Sequence, residues 1–233
     1  GEFPRLTQLE SVKQVSHNVL YADMIHSLRL ALLNQRDKPA TILVTSVQSQ
    51  SGSSLISELL AWSASKSRKT LLIDLDYQTA QGLSAKYPQH KKGFSQLLNN
   101  CCTPEQGIVK LDEQLDFMPR GDLQESSLLL LTAQRLPDLL ANLHQSYDTL
   151  IIDTPALSQA QDSLLLAAQS DICLLVVKAG EQAARIREAE HRLQGTGELL
   201  VASVLNQVQE EQLETQEGKR LLDRQMRELI SPK

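Results

Sequence analysis

Six short apolar runs recur along the chain at intervals long enough to hold a helix between them. They cover 41–47, Thr70–Asp74, Leu115–Met118, Thr149–Asp153, 172–177 and 199–205, and the third is the weakest. Runs of this length that are apolar at nearly every position suit strands buried on both faces, as in a parallel sheet. After the first run, Leu55, Ile56, Leu59, Leu60 and Trp62 recur at helical spacing. The alternation specifies an α/β fold, doubly wound, with a mostly parallel sheet and helices on both faces. At 233 residues one such domain uses the whole chain, and two would be cramped.

A helix is expected over about 16–36, ahead of the first strand, from Val19, Leu20, Met24, Leu28, Leu32 and Leu33. Asp37-Lys38-Pro39 ends it, because proline cannot continue a helix. A helical stretch over about 126–146 is broken near Pro137, and a last helix over about 211–230 carries Leu222, Met226, Leu229 and Ile230 on one stripe. Residues 85–110 are the least regular and read as a surface excursion. Residues 1–15 read as a flexible lead-in that opens with cloning residues, and 16–233 as one domain; a longer natural chain with membrane segments elsewhere is one expectation.

Composition narrows the function. A net charge of −5 and the lack of a basic stripe argue against a nucleic-acid partner. Cys101 and Cys102 are adjacent and Cys173 sits in an apolar run, which is neither a disulfide framework nor a metal pattern and fits a reducing compartment. No apolar run reaches the ~18 residues that span a bilayer.

In open parallel sheets, ligands bind beyond the carboxyl ends of the strands. Three strand ends carry chemistry here. The first leads into Ser46-Val47-Gln48-Ser49-Gln50-Ser51-Gly52-Ser53-Ser54. A phosphate-binding loop uses glycines to turn backbone N–H groups inward, a lysine to offset phosphate charge, and a Ser/Thr hydroxyl to ligate magnesium. Gly52 and Ser54 fit that scheme; Ser53 stands where the lysine belongs. The same segment also reads as a plain polar turn before a helix. The second of these ends is Asp74-Leu75-Asp76 and the last is Asp153-Thr154-Pro155. Strand-end carboxylates can orient magnesium waters or accept a proton, and they can equally cap a helix.

The order of these three segments resembles the cytoplasmic domain of the bacterial tyrosine kinase family, relatives of the MinD/ParA ATPases associated with capsule and exopolysaccharide export. The resemblance covers about residues 23–208 and runs through Val44-Thr45-Ser46, Leu71 to Asp76, Leu115 to Gly121, Tyr147 to Pro155, Leu174 to Lys178 and Val204-Leu205-Asn206. It implies a P-loop domain in which Asp74, Asp76 and Asp153 serve catalysis, and Gly52, Ser53, Ser54 and Asn206 form a nucleotide pocket. Ser54, Asp74 and Asp153 would meet magnesium if Mg-ATP or Mg-ADP binds. The family's Glu-x-x-Arg-x-x-Arg assembly motif falls on Asp23, His26 and Arg29, so only the last arginine is kept.

The departures are Ser53 for lysine, the missing loop glycines, Gln78 near a usual arginine, and a tail without tyrosines, since these are Tyr21, Tyr77, Tyr87 and Tyr147. They imply a catalytically impaired kinase-like domain with no cofactor expected, regulating or scaffolding polysaccharide export at the cytoplasmic face of the inner membrane. Its partner would be an inner-membrane polysaccharide co-polymerase or the export machinery, with weak self-association. Two alternatives stay open. One is an active kinase with an unusual loop, in which Lys178 substitutes for the missing lysine; the other is a MinD/ParA-like positioning protein.

Overall fold

A computed structural model of the chain describes residues 2–4, 19–33, 40–80, 82–123, 126–132 and 135–208. Eight strands form one sheet in the order β1-β8-β7-β2-β6-β3-β5-β4. They are β1 (Glu2–Pro4), β2 (Ala40–Ser46), β3 (Thr70–Asp74), β4 (Val109–Lys110), β5 (Leu115–Met118), β6 (Thr149–Asp153), β7 (Ile172–Lys178) and β8 (Leu200–Val208). All pairings are parallel except β4 with β5.

Side chains alternate across a strand, so each apolar run feeds two cores. Leu43, Ile73, Ile152 and Leu175 point to one face, where the helices Leu136–Leu143, Asp162–Ala167 and Ala183–Gln194 contribute Leu140, Leu166 and Leu193. Ile42, Leu72, Ile151 and Leu174 point to the other, under the helices Val19–Leu33 and Ser53–Ala64. Covering both faces is what makes the runs continuously apolar rather than alternating.

The expected α/β architecture is present, with three local differences. Inside the expected flexible lead-in, Glu2–Pro4 pairs with β8 at the sheet edge. The helical stretch over 126–146 is broken near Pro137, as expected, into Ser127–Leu131 and Leu136–Leu143. Pro137 lies in the first turn of the second helix, where its missing N–H costs nothing. The irregular 85–110 segment holds the short helices Phe94–Leu98 and Pro104–Gly107 and the antiparallel strand β4. Asp162–Ala167 and Ala183–Gln194 are helices that no sequence signal above singled out. The last expected helix, 211–230, lies outside the described residues. No described helix is long and apolar enough to cross a membrane.

Candidate functional site

β2 is flanked by β7 on one side and β6 on the other, so the loop after it opens at the middle of the sheet's carboxyl edge. Two serines fold the loop on itself, since the Ser46 and Ser51 hydroxyls each donate to the Gln48 carbonyl at 2.8 Å. Gly52 then turns the chain into the helix Ser53–Ala64 with φ 87°. That left-handed conformation is open to glycine, and a Cβ here would run into the amide nitrogen of Asn206. Gln50 also takes a left-handed φ, 61°, a conformation that suits glycine better than glutamine. From the end of β8, the Asn206 amide donates to the Ser51 carbonyl and the Gln207 amide to the Gln50 carbonyl, each at 2.8 Å. Two adjacent side-chain amides thus hold two adjacent loop carbonyls.

The acids sit beside this loop. β6 lies between β2 and β3, and parallel register sets Asp153 directly across from Asp74. Both are fully buried. Ser57 donates to Asp153 Oδ1 at 2.9 Å, while Oδ2 has no hydrogen-bond partner. Burial pushes the Asp153 carboxyl well above the ordinary carboxylate range and the Asp74 charge pushes further, against the hydroxyls of Ser54 and Ser57. Asp74 is also raised by burial, and is restrained by the Ser84 hydroxyl, two backbone N–H groups and the charge of Arg120. Its Oδ2 accepts from Ser84 N at 2.7 Å and Ser84 Oγ at 2.6 Å, and its Oδ1 from Asp76 N at 3.0 Å. Asp76 closes a turn by accepting from Gln78 N and Thr79 N. The Arg120 guanidinium donates to the carbonyls of Asp76 and, at 2.8 Å, Thr79.

The structure brings together most of the residues the sequence pointed to. Gly52, Ser53, Ser54 and Asp76 line a cavity of about 550 Å³, joined by Gln50, Gln78, Thr79 and Gln159. Asp74 and Asp153 lie behind that lining. Asn206 faces the loop carbonyl. Lys178 is exposed at the end of β7, opposite Asn206 in register, and does not line the cavity. Among the described residues that do line it there is no lysine or arginine. Among the described residues, no three His, Cys, Asp or Glu side chains group to hold a metal ion by themselves. Magnesium would therefore depend on phosphate oxygens as well as on Ser54 and Asp153.

Three helix residues lie elsewhere. His26 bonds Ser63 at 2.7 Å and stacks at 5.2 Å on Trp62, and Arg29 donates to Ser67 at 2.9 Å. Both are engaged within the chain, while Asp23 is exposed. Ser57, Ser84, Arg120 and Gln207 were not foreseen. Arg120 alone had a signal, since Pro119-Arg120-Gly121 follows a strand as a turn beyond the carboxyl edge.

A parallel sheet whose central strand runs through a loop into a helix N-terminus, next to strand-end aspartates, defines an α/β domain of the P-loop class. The sequence profile of the cellulose biosynthesis protein BcsQ family matches residues 40–226. The tyrosine-protein kinase CpsD of Streptococcus pneumoniae is 30% identical over 176 residues, covering 74% of this chain and 78% of that one. Among solved structures, the chimerical protein CapA2B2 shares the fold with a TM-score of 0.80 at 22% identity, over 90% of this chain and 93% of that one. The VpsO kinase domain gives a TM-score of 0.71 at 27% identity, over 82% and 98%. The chain belongs to the BcsQ family and, with it, to the bacterial tyrosine-kinase group of P-loop proteins.

Proposed function

We propose that this chain is a kinase-like regulatory or scaffolding domain in bacterial exopolysaccharide, capsule or cellulose production, with phosphoryl transfer lost or strongly impaired. The observation that carries the reading is the lining of the loop cavity. It offers hydroxyls, amides and a helix N-terminus, yet no lysine or arginine among the described residues, while Asp76 adds negative charge. Phosphoryl transfer is catalysed by positioning and charge stabilisation, and losing one preorganised donor typically costs about 10²–10³ in rate. Here a full positive charge is missing at Ser53, and Gln50 stands where backbone must turn around a phosphate. On charge, these residues do not fit a nucleoside triphosphate.

The domain keeps the parts that a partner would read. The sheet, the helix Val19–Leu33 and the strand-end turns are present, and the family's name, that of a cellulose biosynthesis protein, supports a role in polysaccharide synthesis. The partner proposed is an inner-membrane polysaccharide co-polymerase or another part of the export machinery, met at the cytoplasmic face. Self-association through Asp23, His26 and Arg29 is proposed to be weak, because His26 and Arg29 already bond Ser63 and Ser67.

One observation favours the active alternative. The unpartnered Oδ2 of Asp153 is a buried acceptor of the kind a metal-bound water would satisfy. Calorimetric titration with Mg-ADP and Mg-ATP, on the wild-type chain and on Ser53→Lys, separates the two. We expect no binding by the wild type and measurable binding by Ser53→Lys. Micromolar binding by the wild type, with turnover abolished by Asp74→Ala, would replace the regulatory reading by the enzymatic one.

A further inference from the structure

A second cleft, of about 650 Å³, lies at the opposite end of the sheet, where β3 and β6 begin. Its volume falls within the range of about 300–1,000 Å³ common for small-molecule sites. The floor is aliphatic. Leu97 and Leu143 are buried there, and Ile108 and Leu139 are half-buried. The walls carry the amides of Asn100 and Asn142 and the hydroxyls of Thr103 and Ser146. Across the mouth stand Lys69, Lys110, Glu105 and Asp116, two charges of each sign. The Asp116 carboxylate is held in place by the Tyr147 hydroxyl, which donates to Oδ2 at 2.7 Å. The Lys69 ammonium lies 5.0 Å from the centroid of the Tyr147 ring.

This lining discriminates between ligand classes. A polyphosphate gains little where formal charges cancel. A nucleobase seeks an uncovered aromatic face, but Tyr147 is the single aromatic among the described lining residues, and it is buried with an ammonium over its ring. A wholly apolar ligand would strip water from amides and hydroxyls without pairing them. A ring with C–H faces and hydroxyls at its edge meets every part of the lining. Each primary amide both donates and accepts, as each sugar hydroxyl does.

We propose that this cleft binds a pyranose unit of a saccharide. The aliphatic floor lies under the ring's C–H face, and Asn100, Asn142, Asp116 and Lys110 take its hydroxyls. The inference is independent of whether the loop cavity binds nucleotide, since the two openings lie at opposite ends of the sheet. The sugar can come as a free saccharide or as the sugar portion of an activated nucleotide sugar.

Backbone-amide NMR on the full chain tests this with glucose, cellobiose, UDP-glucose and UDP. The expected result is saturable shifts at Asn100, Lys110 and residues 142–147 with a sugar-bearing probe and none there with UDP alone. Response to glucose or cellobiose identifies the free saccharide, and response to UDP-glucose only identifies the activated form. Asn142→Leu, at an exposed position, should weaken binding roughly tenfold with an unchanged melting curve, for the loss of a hydrogen-bonding amide from the saccharide contact. Lys110→Met should weaken it as well. Absence of saturable shifts with every sugar, equal shifts with UDP alone, shifts confined to residues 46–54, or full affinity in both variants would overturn the assignment.

Discussion

Asp153 is the residue whose ionisation the fold resists most plainly. It is fully buried, faces Asp74 across a parallel ladder, and has one oxygen without a partner. Its raised pKa means the folded chain holds a proton that the unfolded chain releases near the ordinary carboxylate value. Folding stability attributable to this group is therefore present at low pH and declines as pH climbs from about 3.9 towards the folded value. Asp153→Asn mimics the protonated form and keeps an acceptor for Ser57. We expect the variant to melt above the wild type at neutral pH, and the gap to close on acidification. Melting curves from pH 4 to pH 8 check this, and a gap that widens towards acid would contradict it. That Asp74, Asp76 and Asp153 end strands was legible from the apolar runs before them. That Asp74 opposes Asp153 was not, because β6 inserts between strands far from it in sequence. Ser57 and Gln207 were hidden for the same reason, since each acts on a residue distant along the chain.

At the scale of elements, the helix Ser53–Ala64 joins the loop to the core. Ile56, Leu59 and Leu60 are buried on the sheet side, while Leu55 is half-buried beside the cavity. Leu59→Ala removes packed methyl groups from a closed interior and should cost about 2–5 kcal/mol. Leu55→Ala should cost distinctly less, and urea unfolding of the two variants side by side measures the difference. An equal cost would mean that the helix is not seated on the sheet as described. Periodicity revealed this helix because a single apolar stripe marks it. The helix Ala183–Gln194 buries only Ala189 and Leu193 and carries charges elsewhere, so its pattern gives little to read. Pro137 was legible as the break in its helical stretch, because proline is tolerated in a first turn and not in a helix interior.

For the whole molecule, stability should grade from the middle of the sheet outward. β2, β6 and β7 are hydrogen-bonded on both sides, and every described residue in β2 and β6 is buried. Native-state hydrogen exchange should find their amides among the slowest, opening only with global unfolding, while β4 and the helix Pro104–Gly107 exchange through local opening. Faster exchange in β6 than in β4 would refute this ordering. The fold class was legible because strand–helix alternation has few solutions. The strand order and the antiparallel β4 were not, since two residues of strand carry no pattern.

Among the described residues, both margins of the sheet are short. β1 has three residues and ends in Pro4, and β4 has two. A proline offers no N–H, and so brief a border gives an incoming strand little backbone to copy. The sheet is thus a poor template for its own extension, which protects against uncontrolled fibre growth. Among the described residues, helix faces and strand-end turns therefore offer more surface for docking than the sheet edges do.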